Sequence, residues 1–129
     1  MLVYKNIKAY DEHGDSYIIK VSNNQKVIQI HRKRSINFSA NYAAIKNLSA
    51  NAYVLYMYLL MHSEKRIWAL SSKDIYENTP LRKYTLSNAI TELQEKGYLV
   101  PGEIDLGDNK TYNSNSYHLY ESLHGLPGN

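Results

Sequence analysis

Three stretches with helix signals, a short strand after the first and a turn-divided strand pair after the third predict an α+β fold for this 129-residue chain. A β-rich opening third adds a small antiparallel meander. The length suits one folding unit with a working core, divided as an N-terminal meander over 1–35, a helical core over 36–120 and a tail over 121–129.

The meander comes first. Residues 2–10 (LVYKNIKAY) and 16–21 (SYIIKV) are β-rich, and EHGD between them is a turn signal. SNNQ marks a second turn before KVIQIH. Tyr17, Ile19 and Val21 alternate on one face, and Ile28 and Ile30 do so on the returning strand. Two or three such strands are too few to stand alone, so they pack on the helical part. His31, Arg32, Lys33 and Arg34 end the meander. Such a basic cluster lies on phosphates or enters a minor groove, or it is a charged strand end that blocks edge-to-edge pairing. The two readings weigh evenly. In SINFSANYAAIKN, an extended entry around Phe38 leads to a short helical turn at Tyr42–Lys46.

The helical core follows. Ser49 is a good N-cap, with Leu48 placed to staple onto Tyr53. Ala52, Leu55, Tyr56, Leu59 and Leu60 recur at helical spacing and predict a first helix to about Ser63. RIWAL at 66–70 reads as a short strand, with Trp68 covering the end of that helix. Ser71 and Asp74 fit a capping pattern, with Leu70 and Ile75 as the staple, for a short second helix over about Ser72–Glu77. Thr79 is read as the cap of the third helix, with Pro80 in its first turn. That helix runs to about Lys96, with Leu86, Ala89, Ile90 and Leu93 inward and Gly97 terminating it. Tyr98–Val100 is one wing strand, and its return lies between Thr111 and Tyr120, clearest at Ser116–Tyr120. Pro101, Gly102, Gly107 and Asn109 break the turn between them. This order of elements is a winged helix-turn-helix, three helices plus a β-wing.

Charge and composition narrow the function. All twelve carboxylates lie outside residues 16–63, while that stretch carries Lys20, Lys26, Arg32, Lys33, Arg34 and Lys46. A polyanion is drawn to such a segment, although a solvated basic face has the same composition. The chain has no cysteine, which removes disulfides, thiolate metal sites and cysteine nucleophiles. No signal-peptide core or apolar run of membrane-spanning length is present, so a cytoplasmic protein is expected. Thirteen tyrosines against one Phe and one Trp suit the rim of a small core or a stacking and contact surface.

In a helix-turn-helix the second helix of the pair enters the major groove. Arg82, Lys83, Tyr84, Thr85 and Asn88 occupy the outward face of its start. Arg and Asn pair with guanine and adenine edges, and Lys83 and Thr85 suit phosphates. The same residue types also make an ordinary exposed helix face; the position after a tight helix–helix turn favours DNA. The wing runs against this, because Glu103, Asp105 and Asp108 outweigh Lys110 and repel a phosphate backbone.

LSANAYVLYMYLL, then WALSSKDI, then L-x-x-A-I-x-x-L-x-x-K-G-Y-L-V resembles the winged-helix domains of phage and plasmid proteins. It is most similar to the helix-turn-helix domain at the front of DnaD-type and plasmid replication initiators. The resemblance covers roughly residues 36–120. It implies double-stranded DNA binding through the third helix, with Arg82, Lys83, Thr85 and Asn88 on the matching surface.

No catalytic constellation emerges: there is no Gly-rich phosphate loop, nucleophile elbow or His-Glu-x-x-His. The five histidines lack ligand spacing, so neither metal, cofactor nor enzymatic activity is expected. The sequence favours a sequence-specific DNA-binding protein, a transcriptional regulator or replication accessory acting as a homodimer. The alternative is a phage or mobile-element protein that binds and inhibits a host or defence complex, with its acidic wing on a protein partner.

Overall fold

A computed structural model describes residues 3–11, 13–31, 38–61 and 67–121. These form four helices and eight strands in three sheets. The fold is α+β, but three helices plus a wing do not describe it: eight strands accompany four helices, and two of the three sheets are ribbons apart from the central one.

The centre is a four-stranded sheet in the order β4 (Ile67–Ala69), β3 (Val27–His31), β8 (Ser116–Tyr120), β5 (Leu99–Pro101). β3 runs antiparallel to β4 and parallel to β8, and β5 is antiparallel to β8. Helices α1 (Phe38–Asn47), α2 (Ala50–Met61), α3 (Ser72–Asn78) and α4 (Lys83–Glu95) belong to one face. There Ile28, Ile30, Leu99 and Leu119 meet Leu55, Tyr56, Leu59, Leu86 and Leu93 in the main core. Two ribbons cover part of the opposite face: β1 (Tyr4–Tyr10) with β2 (Ser16–Ser22), and β6 (Ile104–Gly107) with β7 (Lys110–Tyr112). They close a second core in which Ile7, Ile19, Val21, Ile104 and Leu106 pack on Val27 and Ile67.

The N-terminal meander is corrected here. β1 and β2 pair as anticipated, but β3 leaves them and becomes an inner strand of the main sheet. Its sequence VIQIH has apolar residues on both faces, and Val27, Ile28 and Ile30 are all buried, the mark of a strand covered on both sides. The break at Ser22–Gln25 is built locally. Asn24 takes a left-handed φ of 64°, Gln25 Oε1 accepts from the Ser22 amide at 2.9 Å, and Gln25 Nε2 donates to Leu70 O at 2.8 Å.

The wing is corrected too. β5 and β8 do pair, but the polar turn expected between them is a further ribbon. Ile104 and Leu106 alternate inward between exposed Glu103 and Asp105, and Asp108 and Asn109 turn the chain with φ of 54° and 59°. That pair of positive φ values belongs to tight hairpin turns.

The helix ends follow local chemistry. Ser71 caps α3 by accepting from the Asp74 amide at 3.2 Å. Gly97, at φ 84°, ends α4 with Gly97 N donating to Gln94 O at 3.2 Å and Tyr98 N to Leu93 O at 2.9 Å. This is a Schellman arrangement, which needs a left-handed residue just past the helix. Thr79 closes α3 rather than opening α4: its hydroxyl donates to Ile75 O at 2.7 Å and accepts from Leu81 N at 3.2 Å. α4 starts at Lys83 because buried Leu81 anchors the turn first. α1 is longer than the single turn anticipated. No helix among the described residues is long and apolar enough to cross a membrane.

Candidate nucleic-acid interface

The α3–α4 corner holds five of the residues singled out from the sequence, and they divide into two groups. Arg82 and Thr85 build the corner. The Arg82 amide donates to Thr85 Oγ1 at 2.8 Å, and that hydroxyl donates back to Arg82 O at 3.1 Å. The Arg82 guanidinium folds over the end of α3, with Nη1 donating to Leu81 O at 2.7 Å, Thr79 O at 3.3 Å and Tyr76 O at 3.4 Å. Carbonyls at a helix end lack intrahelical partners, and a cation there is favourable. Arg82 is therefore committed to the turn.

Lys83, Tyr84 and Asn88 form the second group. All three are exposed at the start of α4, and Tyr84 is 78% accessible. Helical spacing places Tyr84, Ser87, Asn88 and Thr91 on one side, opposite the buried Leu86, Ala89 and Leu93. This face is polar but nearly neutral, because Lys73, Arg82, Lys83 and Lys96 are matched by Asp74, Glu77, Glu92 and Glu95 along the helix pair.

Glu92 is held inward rather than offered to a ligand. It accepts from the Ser49 amide at 2.7 Å, at the start of α2, and from Lys96 Nζ at 3.4 Å. Lys96 also donates to Asn47 O. Desolvation pushes the Glu92 carboxyl up, but the Ser49 hydrogen bonds and Lys96 together outweigh it and hold it below the usual carboxylate range. The clasp fixes α4 against the α1–α2 corner.

Arg32, Lys33 and Arg34 lie outside the described residues. The rest of the basic stretch is divided among elements: Lys20 on β2, Lys26 before β3 and Lys46 in the last turn of α1. Glu103, Asp105 and Asp108 are exposed around β6, and Asp105 Oδ1 braces the turn by accepting from Gly107 N at 2.9 Å.

The strand side holds features that lie outside the site residues singled out from the sequence. Four lysine ammoniums sit over tyrosine rings: Lys5 over Tyr112 at 4.9 Å, Lys8 over Tyr10 at 5.5 Å, Lys20 over Tyr4 at 4.6 Å and Lys26 over Tyr117 at 5.7 Å. The interleaved Tyr4, Lys5, Lys8 and Tyr10 of β1 were the visible signal. At the far end of the sheet, His118 Nε2 lies 2.8 Å from Glu103 O and therefore donates. A neutral His118 then accepts at Nδ1 from His31 Nε2, 2.8 Å away, while the His31 ring stacks on Tyr120 at 4.7 Å. Among the described residues no three His, Asp or Glu side chains converge to hold a metal ion.

The chain matches no protein-family model, no characterised protein and no solved structure.

Proposed function

We propose that this protein binds double-stranded DNA, with the exposed face of α4 in the major groove. The observation that carries the reading is the uncommitted trio Lys83, Tyr84 and Asn88 at the start of a 13-residue helix, directly after a tight corner. Major-groove readers present this part of a helix to base edges. Asn88 reads an adenine edge, Lys83 holds a phosphate, and Tyr84 packs on the groove wall. Arg82 and Thr85 act one step back, by holding the corner that aims the helix. The reading implies a cytoplasmic regulator or replication accessory, acting as a homodimer on a two-part site.

A mobility-shift titration of duplex DNA from low to physiological salt tests it. Lys83→Ala is expected to weaken binding to all sequences alike and to lower the log–log salt slope by about 1. Asn88→Ala is expected to cost about tenfold and to relax preference at one base pair. Failure of the protein to shift any duplex at low salt overturns the reading.

A second reading rests on the exposed Asp105 and Asp108 at the β6–β7 tip, which suit a basic protein or ribonucleoprotein surface. Asp105→Lys combined with Asp108→Lys separates the two. Under the DNA reading duplex binding strengthens as repulsion is lost; under the protein reading a partner complex is lost and duplex affinity is unchanged.

A further inference from the structure

A cleft of about 510 Å³ opens where the free ends of β1 and β2 face the loop between β7 and β8. Tyr4, Lys5 and Tyr112 line it, together with Asn23, Asn24 and Asn115. Its floor is fixed. Asn115 Nδ2 donates to Asn24 O at 2.8 Å, joining two loops whose asparagines both hold left-handed backbone, at φ 58° and 64°. Among the described residues no carboxylate lines the cleft. Asp11, Asp15 and Asp108 lie at the other end of the ribbons, whereas Glu103 precedes β6 and Asp105 pairs with Thr111, next to Tyr112.

We infer that this cleft binds single-stranded nucleic acid, through base stacking on Tyr4 and Tyr112 with phosphates held by Lys5 and Lys20. This goes beyond the α4 reading, uses no residue of that helix and stands on separate observations. Tyr4 leaves about half its surface (49%) accessible, although it belongs to a paired strand. Lys20 lies 4.6 Å from the Tyr4 ring and Lys5 lies 4.9 Å from the Tyr112 ring. Each ring thus has a lysine ammonium over it, so an aromatic surface and a cation stand together, as a base and its phosphate require. Proteins that hold single strands combine a basic track with aromatic rings, because every base offers a π face and every linkage a charge. The amides of Asn23 and Asn24 supply both donors and acceptors at the rim, as polar base edges require. A duplex keeps its bases stacked inside and presents no free π face to these rings. An acidic peptide satisfies the lysines and leaves the tyrosines idle. The volume falls within the roughly 300–1,000 Å³ of ordinary ligand clefts, enough for a base or two rather than a helix.

The test is fluorescence anisotropy of the full chain with a labelled oligothymidylate, at low and physiological salt, with heparin as a polyanion lacking bases. The wild-type protein is expected to bind the oligonucleotide. Tyr4→Ala and Tyr112→Leu are each expected to lower affinity about fivefold to a hundredfold, the range for losing one stacked base. Leucine keeps the apolar packing of Tyr112 on the second core, and circular dichroism confirms that each variant is folded. Lys5→Ala and Lys20→Ala are each expected to lower the salt slope by about 0.7. Lys83→Ala and Asn88→Ala are expected to leave single-strand affinity unchanged, so this cleft and the α4 face fail or succeed separately. Absence of oligonucleotide binding at low salt overturns the inference. So does binding that both tyrosine variants retain, or that heparin matches in affinity and in insensitivity to those variants.

Discussion

The two faces of the central sheet are built by different means. On the helix face, residues close in sequence cooperate: a cap at Ser71, a Schellman end at Gly97, and apolar stripes along α2 and α4. On the ribbon face, residues far apart cooperate: Ile7, Val27, Ile67 and Ile104 share one core while coming from four different strands. Local devices make the helix layer robust. Each ribbon is a local hairpin, but the core that the ribbons close joins strands far apart in the chain.

The difference can be broken most directly in the cores. Leu59→Ala, fully buried in the last turn of α2, is expected to cost about 3–5 kcal/mol and to lower the midpoint of a global denaturant transition. Ile104→Ala, in the smaller second core, is expected to cost about 2 kcal/mol, with hydrogen exchange accelerated in β1, β2, β6 and β7 but not in α2 or α4. Equal acceleration in both layers would show that they unfold as one unit.

Tyr56 joins the helix layer to the end of β8. Its buried hydroxyl donates to Tyr120 O at 3.2 Å and to Glu121 O, and burial pushes its ionisation well above the ordinary phenol value. Tyr56→Phe leaves those carbonyls short of a donor and is expected to cost about 1–2 kcal/mol in thermal unfolding. Gly97→Ala forces a Cβ into left-handed backbone and is expected to cost about 1 kcal/mol, localised to the α4 terminus.

The smallest effect is the Glu92 clasp. Its folded-state pKa is depressed, so its contribution is present above the ordinary carboxylate value of 4.5 and is lost as pH falls through the lower folded value. Glu92→Gln is expected to destabilise by about 0.5–1 kcal/mol at neutral pH, with the gap to the wild-type protein closing in acid. A gap that persists in acid, once the carboxyl is protonated in both states, would assign the clasp to packing instead.

What the sequence revealed follows the same division. The helical stripe Ala52, Leu55, Tyr56, Leu59 and Leu60 is buried as its spacing foretold, and Ser71 and Gly97 sit at helix ends. Thr79 misled because a threonine before proline resembles a cap, whereas the buried Leu81 moved the helix start to Lys83. Ile104 and Leu106 misled because Pro, Gly and Asp crowd around them and mask a two-residue alternation. Within the group at the start of α4, residue type and position marked Lys83, Tyr84 and Asn88 as exposed. They did not reveal that Arg82 and Thr85 bond to the corner itself.

By itself, the sequence determined the α+β class, the helix boundaries set by caps and the stripes that face the main core. Each of these depends on residues within a few positions of one another. Only the tertiary structure decided that β3 inserts between β4 and β8, that two ribbons close a second core, and that Tyr4 and Tyr112 border one cleft. Strand pairing is the physical reason: its hydrogen bonds come from generic backbone groups, so partner choice rests on how distant apolar faces fit together.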